Sequence, residues 1–159
     1  MIVLLLVLVT SVGAAALGSL WHTASQRERE RELLAIGDEF RRAIGSYRAL
    51  AVDGRREYPR TLEDLLRDPR LPGVRRHLRR IYADPLTGEA RWGLIPAPQG
   101  GILGVHSLSM RTPLKQAGFA EADAEFAEAE HHADWRFIAR EPGRAAPPLG
   151  WKPAPPAPR

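Results

Sequence analysis

The chain has 159 residues, enough for one ordinary domain once an apolar start and a proline-rich end are set aside. It contains no cysteine, which excludes disulfides and thiolate metal sites. The net charge of +4 is what remains of 23 Lys and Arg against 19 Asp and Glu, a mixed solvated surface rather than a nucleic-acid-binding one.

Residues 2–21 carry no charge and begin with an unbroken run, Ile2, Val3, Leu4, Leu5, Leu6, Val7, Leu8 and Val9. As a helix, about 20 residues at ~1.5 Å rise cross the ~30 Å hydrocarbon core of a bilayer. Thr10, Ser11, Gly13, Gly18 and Ser19 are small enough to be tolerated there and let helices approach closely. Trp21 and His22 close the run, where an amphipathic ring suits the interface. A cleaved signal peptide has Ala14, Ala15, Ala16 and Gly18 in its favour but lacks a Lys or Arg ahead of the run. A domain this small can hardly surround so apolar a helix. The expectation is an uncleaved membrane-spanning half over 1–22. Its flank, Arg27-Glu28-Arg29-Glu30-Arg31-Glu32, alternates in sign and gives little orientation by the positive-inside rule.

Beyond Ser25 the spacing predicts an amphipathic continuation over 23–53. Leu33, Ile36, Phe40, Ile44 and Tyr47 recur at three- and four-residue steps, while Glu32, Asp38, Glu39, Arg41, Arg42 and Arg48 fill other positions. One long helix is thus expected to end near Asp53-Gly54, with a stripe only the rest of the chain can cover. Residues 54–141 read as a globular head. Tyr58-Pro59 leads into a short helix with Leu62, Leu65 and Leu66, opened by Thr61 and Asp64 as a shortened capping box. Asp68-Pro69 stops it and Leu71-Pro72-Gly73 turns the chain. Val74, Leu78 and Ile81 fit another helical turn or two, and Asp84-Pro85-Leu86-Thr87-Gly88 is a turn. Strands are expected at 92–95, 102–108 and 134–139, the first two joined through Gly100-Gly101. An acidic surface helix is expected over 120–130, after the break at Gly118-Phe119. Residues 142–159, rich in Pro and Ala, are expected to form an extended disordered tail.

This layout, a membrane helix running into an amphipathic one and then a small antiparallel sheet, resembles the type IV pilins, above all the pseudopilins of type II secretion systems. The most detailed match is Tyr58-Pro59-Arg60-Thr61-Leu62-Glu63-Asp64-Leu65-Leu66, followed by Asp84-Pro85, Gly88 and Trp92-Gly93. It is similar to the segment that joins the family's long helix to its sheet. The resemblance implies an α+β, pilin-like fold. It also implies a structural subunit in the bacterial inner membrane, with its head in the periplasm and other pilin-like subunits and the lipid bilayer as partners. The family's basic leader, Gly-Phe cleavage point and early acid have no counterpart here. That fits a true start lying upstream, or a divergent member not processed by prepilin peptidase; cleavage and N-methylation are assigned to no residue. The rival reading is a monomeric anchored periplasmic protein whose domain binds a partner or envelope ligand.

No catalytic, cofactor-binding or metal-binding residue is expected, no nucleic acid and no small-molecule substrate; the chain reads as a non-enzyme. His131 and His132 are adjacent, so on a helix they point about 100° apart and do not share an ion; with His22, His77 and His106 they are expected to be solvated. Glu121, Asp123 and Glu125 lack the glycine turn of a calcium loop. Two charge clusters remain. Arg75, Arg76, Arg79 and Arg80 would form a basic helix face, and Glu121, Asp123, Glu125, Glu128 and Glu130 an acidic patch. They are either solvated faces or a contact that sets register between neighbouring subunits.

Overall fold

The computed structural model describes the backbone of residues 2–139 and the side chains from residue 23 onward. The side chains of the expected anchor and the whole of the expected tail lie outside the described residues. Among the described residues, no helix is long and apolar enough to cross a membrane.

Helix α1 (Ile2–Ala49) is unbroken. Its predicted stripe is the core: Leu33, Phe40, Ile44 and Tyr47 are almost fully buried and Ile36 nearly so. Burial of each such side chain contributes about 1.5–3 kcal/mol. The helix stops at Ala49, short of Asp53-Gly54, because Arg70 caps it. The guanidinium donates to the carbonyls of Tyr47 (2.8 Å) and Leu50 (3.3 Å), where a cation also meets the negative end of the helix dipole. Asp53 and Gly54, both at positive φ, then form a tight turn closed by Val52 and Arg55.

Three short strands form an antiparallel sheet in the order β1 (Gly93–Pro96), β2 (Ile102–His106) and β3 (Arg136–Ile138). The α+β class and all three strands agree with the sequence. The register shifts at Ile95/Pro96, opposite Leu103. That bulge lets Ile102 and Val105, three residues apart, both join the cluster on α1, while Leu103 joins Ile95 and Ala97 in a second cluster. The helix lies so close to the sheet that a Cβ on Gly37 would overlap the Phe137 ring.

One further expectation is corrected. No helix forms around Val74, Leu78 and Ile81. The amides of His77 and Leu78 both bond the carbonyl of Leu65, and the amide of Asp68 bonds that of Arg75, so the segment folds back on the preceding turn. Only Leu78 is buried, and Val74 is 67% exposed. The acidic segment is helical, as expected, and takes the form of the 3-10 helix Glu121–Glu128. Residues three apart eclipse in a 3-10 helix, so Asp123, Phe126 and Ala129 all turn toward the core side.

Candidate functional site

Polar ties fasten the head to α1 along the stripe, and this clasp is the arrangement most open to a functional reading. At its N-terminal end Glu30, 1% exposed, lies one helical step before Leu33. Its carboxylate accepts from the amides of Leu114 (2.7 Å) and Lys115 (3.0 Å) and from Nε2 of His132 (3.1 Å). His132 is completely buried and set edge-on to Trp135. This corrects the expectation of a solvated histidine, which fails for His77 too, its side chain only 1% exposed; His131 is partly exposed and pairs instead with Asp134. Between Glu30 and the adjacent loop opens a cleft of about 320 Å³, lined by Arg27, Arg31, Leu34, Leu114, Lys115 and Gln116, among others.

Midway, the buried Arg41 donates to Asp123 at 2.6 Å and to Asp38 at 3.4 Å. Asp123 is therefore held inside, apart from the other acids of the expected patch: Glu121, Glu125, Glu128 and Glu130 are exposed. Among the described residues no group of His, Asp and Glu could hold a metal ion.

The C-terminal end is closed by Asp68, Arg70 and His77. Arg70 bonds both oxygens of Asp68 (2.9 and 2.7 Å) while lying 3.7 Å from the Tyr47 ring centroid. The side-chain bonds from Arg70 hold the Asp68 carboxyl down at about 2, against the desolvation that would raise it. Burial pushes His77 below its ordinary value even though Asp68 faces it. The imidazole is therefore neutral at pH 7: Nε2–H donates to Asp68 (3.3 Å), and Nδ1 accepts from the Ser46 hydroxyl (2.9 Å). Burial likewise raises the Tyr47 phenol.

The segment that carries the pilin resemblance forms the joint between helix and sheet. The carbonyl of Pro59 accepts from the Ile102 amide (2.8 Å), while Leu65 is buried against α1 with Leu62 and Leu66 beside it. Asp64 accepts from the amides of Arg60 and Thr61, so the acid half of the expected capping box is present. Gly88 has positive φ, and Asp84, fully buried, accepts from the Leu86 amide and the Ser107 hydroxyl (2.6 Å). Arg75, Arg76, Arg79 and Arg80 are all exposed, but on irregular chain rather than one helix face. Sequence reasoning missed Glu30 and His132. Extending the stripe one step back from Leu33 reaches Glu30; nothing local marks His132.

No family model, curated protein or solved structure matches the chain.

Proposed function

We propose that this chain is a pilin-like structural subunit, of the kind found in type II secretion or type IV pilus assemblies, and not an enzyme. What carries the reading is the form of α1. One helix runs from Ile2 to Ala49, and the head clasps its later part through the stripe from Leu33 to Tyr47 and the tie at Glu30. The twenty uncharged residues that end at Trp21 have the composition of a membrane span. In this reading that half stores the subunit in the bacterial inner membrane with its head in the periplasm. It packs against equivalent helices, with Gly13 and Gly18 allowing close approach, when a filament is built.

The two charge clusters give the heads a means of choosing neighbours. Exposed arginines lie along the chain that follows Arg70, with Arg80 over the Tyr82 ring beside Phe40, while the exposed acids lie on the Glu121–Glu128 helix that Asp123 ties to Arg41. Contact between the arginines of one copy and the acids of the next is heterologous, the kind that builds open filaments. Cysteines placed singly along residues 4–18 should crosslink in membranes as a ladder with helical period. A chain that floats with membranes yet crosslinks nowhere along that face is a monomeric anchored protein, and the filament reading fails. Reversing Arg76 and Arg79 to Glu should impair assembly, and reversing Glu125 and Glu128 to Arg should restore it; Asp123 must stay, because it holds Arg41.

A further inference from the structure

The C-terminal end of the clasp joins three side chains in an order that fastening alone does not require. Ser46 is exposed, in the last turn of α1. Its hydroxyl lies 2.9 Å from Nδ1 of His77, and Nε2 of the same ring lies 3.3 Å from Asp68. The Asp68 carboxyl, held down at about 2, is ionised at neutral pH and can only accept, so Nε2 carries the ring proton. Nδ1 is then an acceptor, and the Ser46 hydroxyl must donate to it. The base and the acid are hidden, with side chains 1% and 0% exposed, while the hydroxyl they act on is open to reagents. Burial keeps the imidazole neutral at pH 7, and so able to take a proton. Arg70 fixes Asp68 through bonds to both of its oxygens. Hydroxyl, imidazole and carboxylate in this order activate serines on unrelated folds, here with the two ring nitrogens exchanged. The exposed Arg75 is near enough for its charge to be felt at His77. It brings positive charge for an oxygen that turns negative under attack.

We propose that Ser46 is an acyl-accepting nucleophile, with His77 as its general base and Asp68 as the positioning residue, and that its donor is an activated acyl ester or thioester. Ser46 Oγ attacks the acyl carbon while its proton passes to Nδ1. The bond from that carbon to the leaving oxygen or sulfur breaks, and the proton on Nδ1 goes to the departing group. The products are an O-acylserine and a free alcohol or thiol, with His77 neutral again. Because the hydroxyl stands on open surface, the donor is recognised at its reactive carbonyl rather than along its chain. This does not rest on the filament reading. One acceptor serine per copy makes the chain a substrate for acylation, in which each copy reacts once.

The test uses the full chain in detergent with two probes, p-nitrophenyl acetate and an alkyl fluorophosphonate. The second leaves an adduct that survives even if water removes the acetyl group. Peptide mass spectrometry should place one adduct on Ser46. Ser46→Ala should remove it and His77→Gln should slow it about 100-fold, with near-UV circular dichroism unchanged in both. The rate at Ser46 should rise with pH as His77 loses its proton, below about pH 6.5, and level off by about pH 8. Facing His77 are Ser46 and the Tyr47 ring from α1, Asp68 and Arg70 from the preceding turn, and Arg75 from its own segment. Of the charged ones only Asp68 favours the protonated ring. Asp68→Asn should therefore move the midpoint of the profile to lower pH and lower its plateau, a shift that loss of packing alone would not produce. Ser46 left unlabelled by the fluorophosphonate, or labelled as fast in the His77→Gln chain, overturns the proposal. So does a rate that climbs with hydroxide and never levels, the behaviour of an ordinary surface hydroxyl.

Discussion

Replacing Gly37 by alanine tests the contact between helix and sheet most directly. In an ordinary helix interior the change stabilises by about 1 kcal/mol. Here the new methyl would overlap the Phe137 ring, and that ring has little freedom to withdraw. It is fully buried, meets the Phe126 ring edge-on at 5.3 Å, and has the Arg41 guanidinium 5.7 Å from its centroid. Overpacking of this kind costs about 1–3 kcal/mol, and the propensity gain offsets about 1 kcal/mol of it, leaving a net loss of up to about 2 kcal/mol. For a domain of this size that lowers Tm by up to about 8 °C. Thermal unfolding of the full chain in detergent, followed by near-UV circular dichroism of the buried aromatics, reads the shift. In a Phe137→Leu background the space exists and the sign should reverse, with alanine stabilising by up to about 1 kcal/mol. If Gly37→Ala raises Tm in the unaltered chain, the close approach of α1 to β3 is wrong.

Glu30→Ala takes the partner from the part-buried amides of Leu114 and Lys115 and strands the buried His132, so a loss of about 1–3 kcal/mol is expected; hydrogen exchange at Leu114 and Lys115 should accelerate, while Leu78 stays protected until global unfolding. Arg41→Ala leaves Asp123 without its buried partner and should cost about 3–5 kcal/mol, whereas joint replacement by Met and Leu costs far less; equal losses in chemical denaturation would contradict that. Acid should weaken the C-terminal end of the clasp in two steps. His77 and Asp68 both have folded values below their unfolded ones, so each stabilises above its unfolded value and loses that contribution as pH falls. His77 acts from about pH 6.5 downward, and Asp68 between about pH 4 and 2, worth about 2 kcal/mol. Asp68→Asn should abolish the second step in a stability–pH profile and deepen the first, because the carboxylate that opposes the burial of His77 is gone.

The helix stripe was legible because large apolar side chains repeating every 3.6 residues form a continuous face only on a helix; Leu33 through Tyr47 are buried as that repeat requires. The hairpin was legible from Gly100-Gly101, both at positive φ, and β3 from the aromatic alternation around Phe137. Val74, Leu78 and Ile81 misled because three apolar residues at helical spacing also fit a loop pinned at one of them. What holds that loop is backbone bonding to Leu65 and Asp68, which no side-chain pattern records. Glu30 was hidden for a related reason. In an alternating run of charges every member looks solvated, and only the partner loop, more than eighty residues later, shows which one turns inward. Arg41 and Asp123 belong to the same class: each sits among like residues, and tertiary geometry alone selects the pair.

The fit of Phe137 against Gly37 has a consequence for how the protein is made. The two residues are about 100 positions apart, so at roughly 5–20 residues per second the helix waits some 5–20 seconds for its cover. Throughout that interval an amphipathic rod stands open on the very side its own last strand will occupy. A nascent chain must be kept from offering that side to its siblings, and a product that stops before β3 never closes it. Such truncated products are where unscheduled helix-to-helix adhesion should begin.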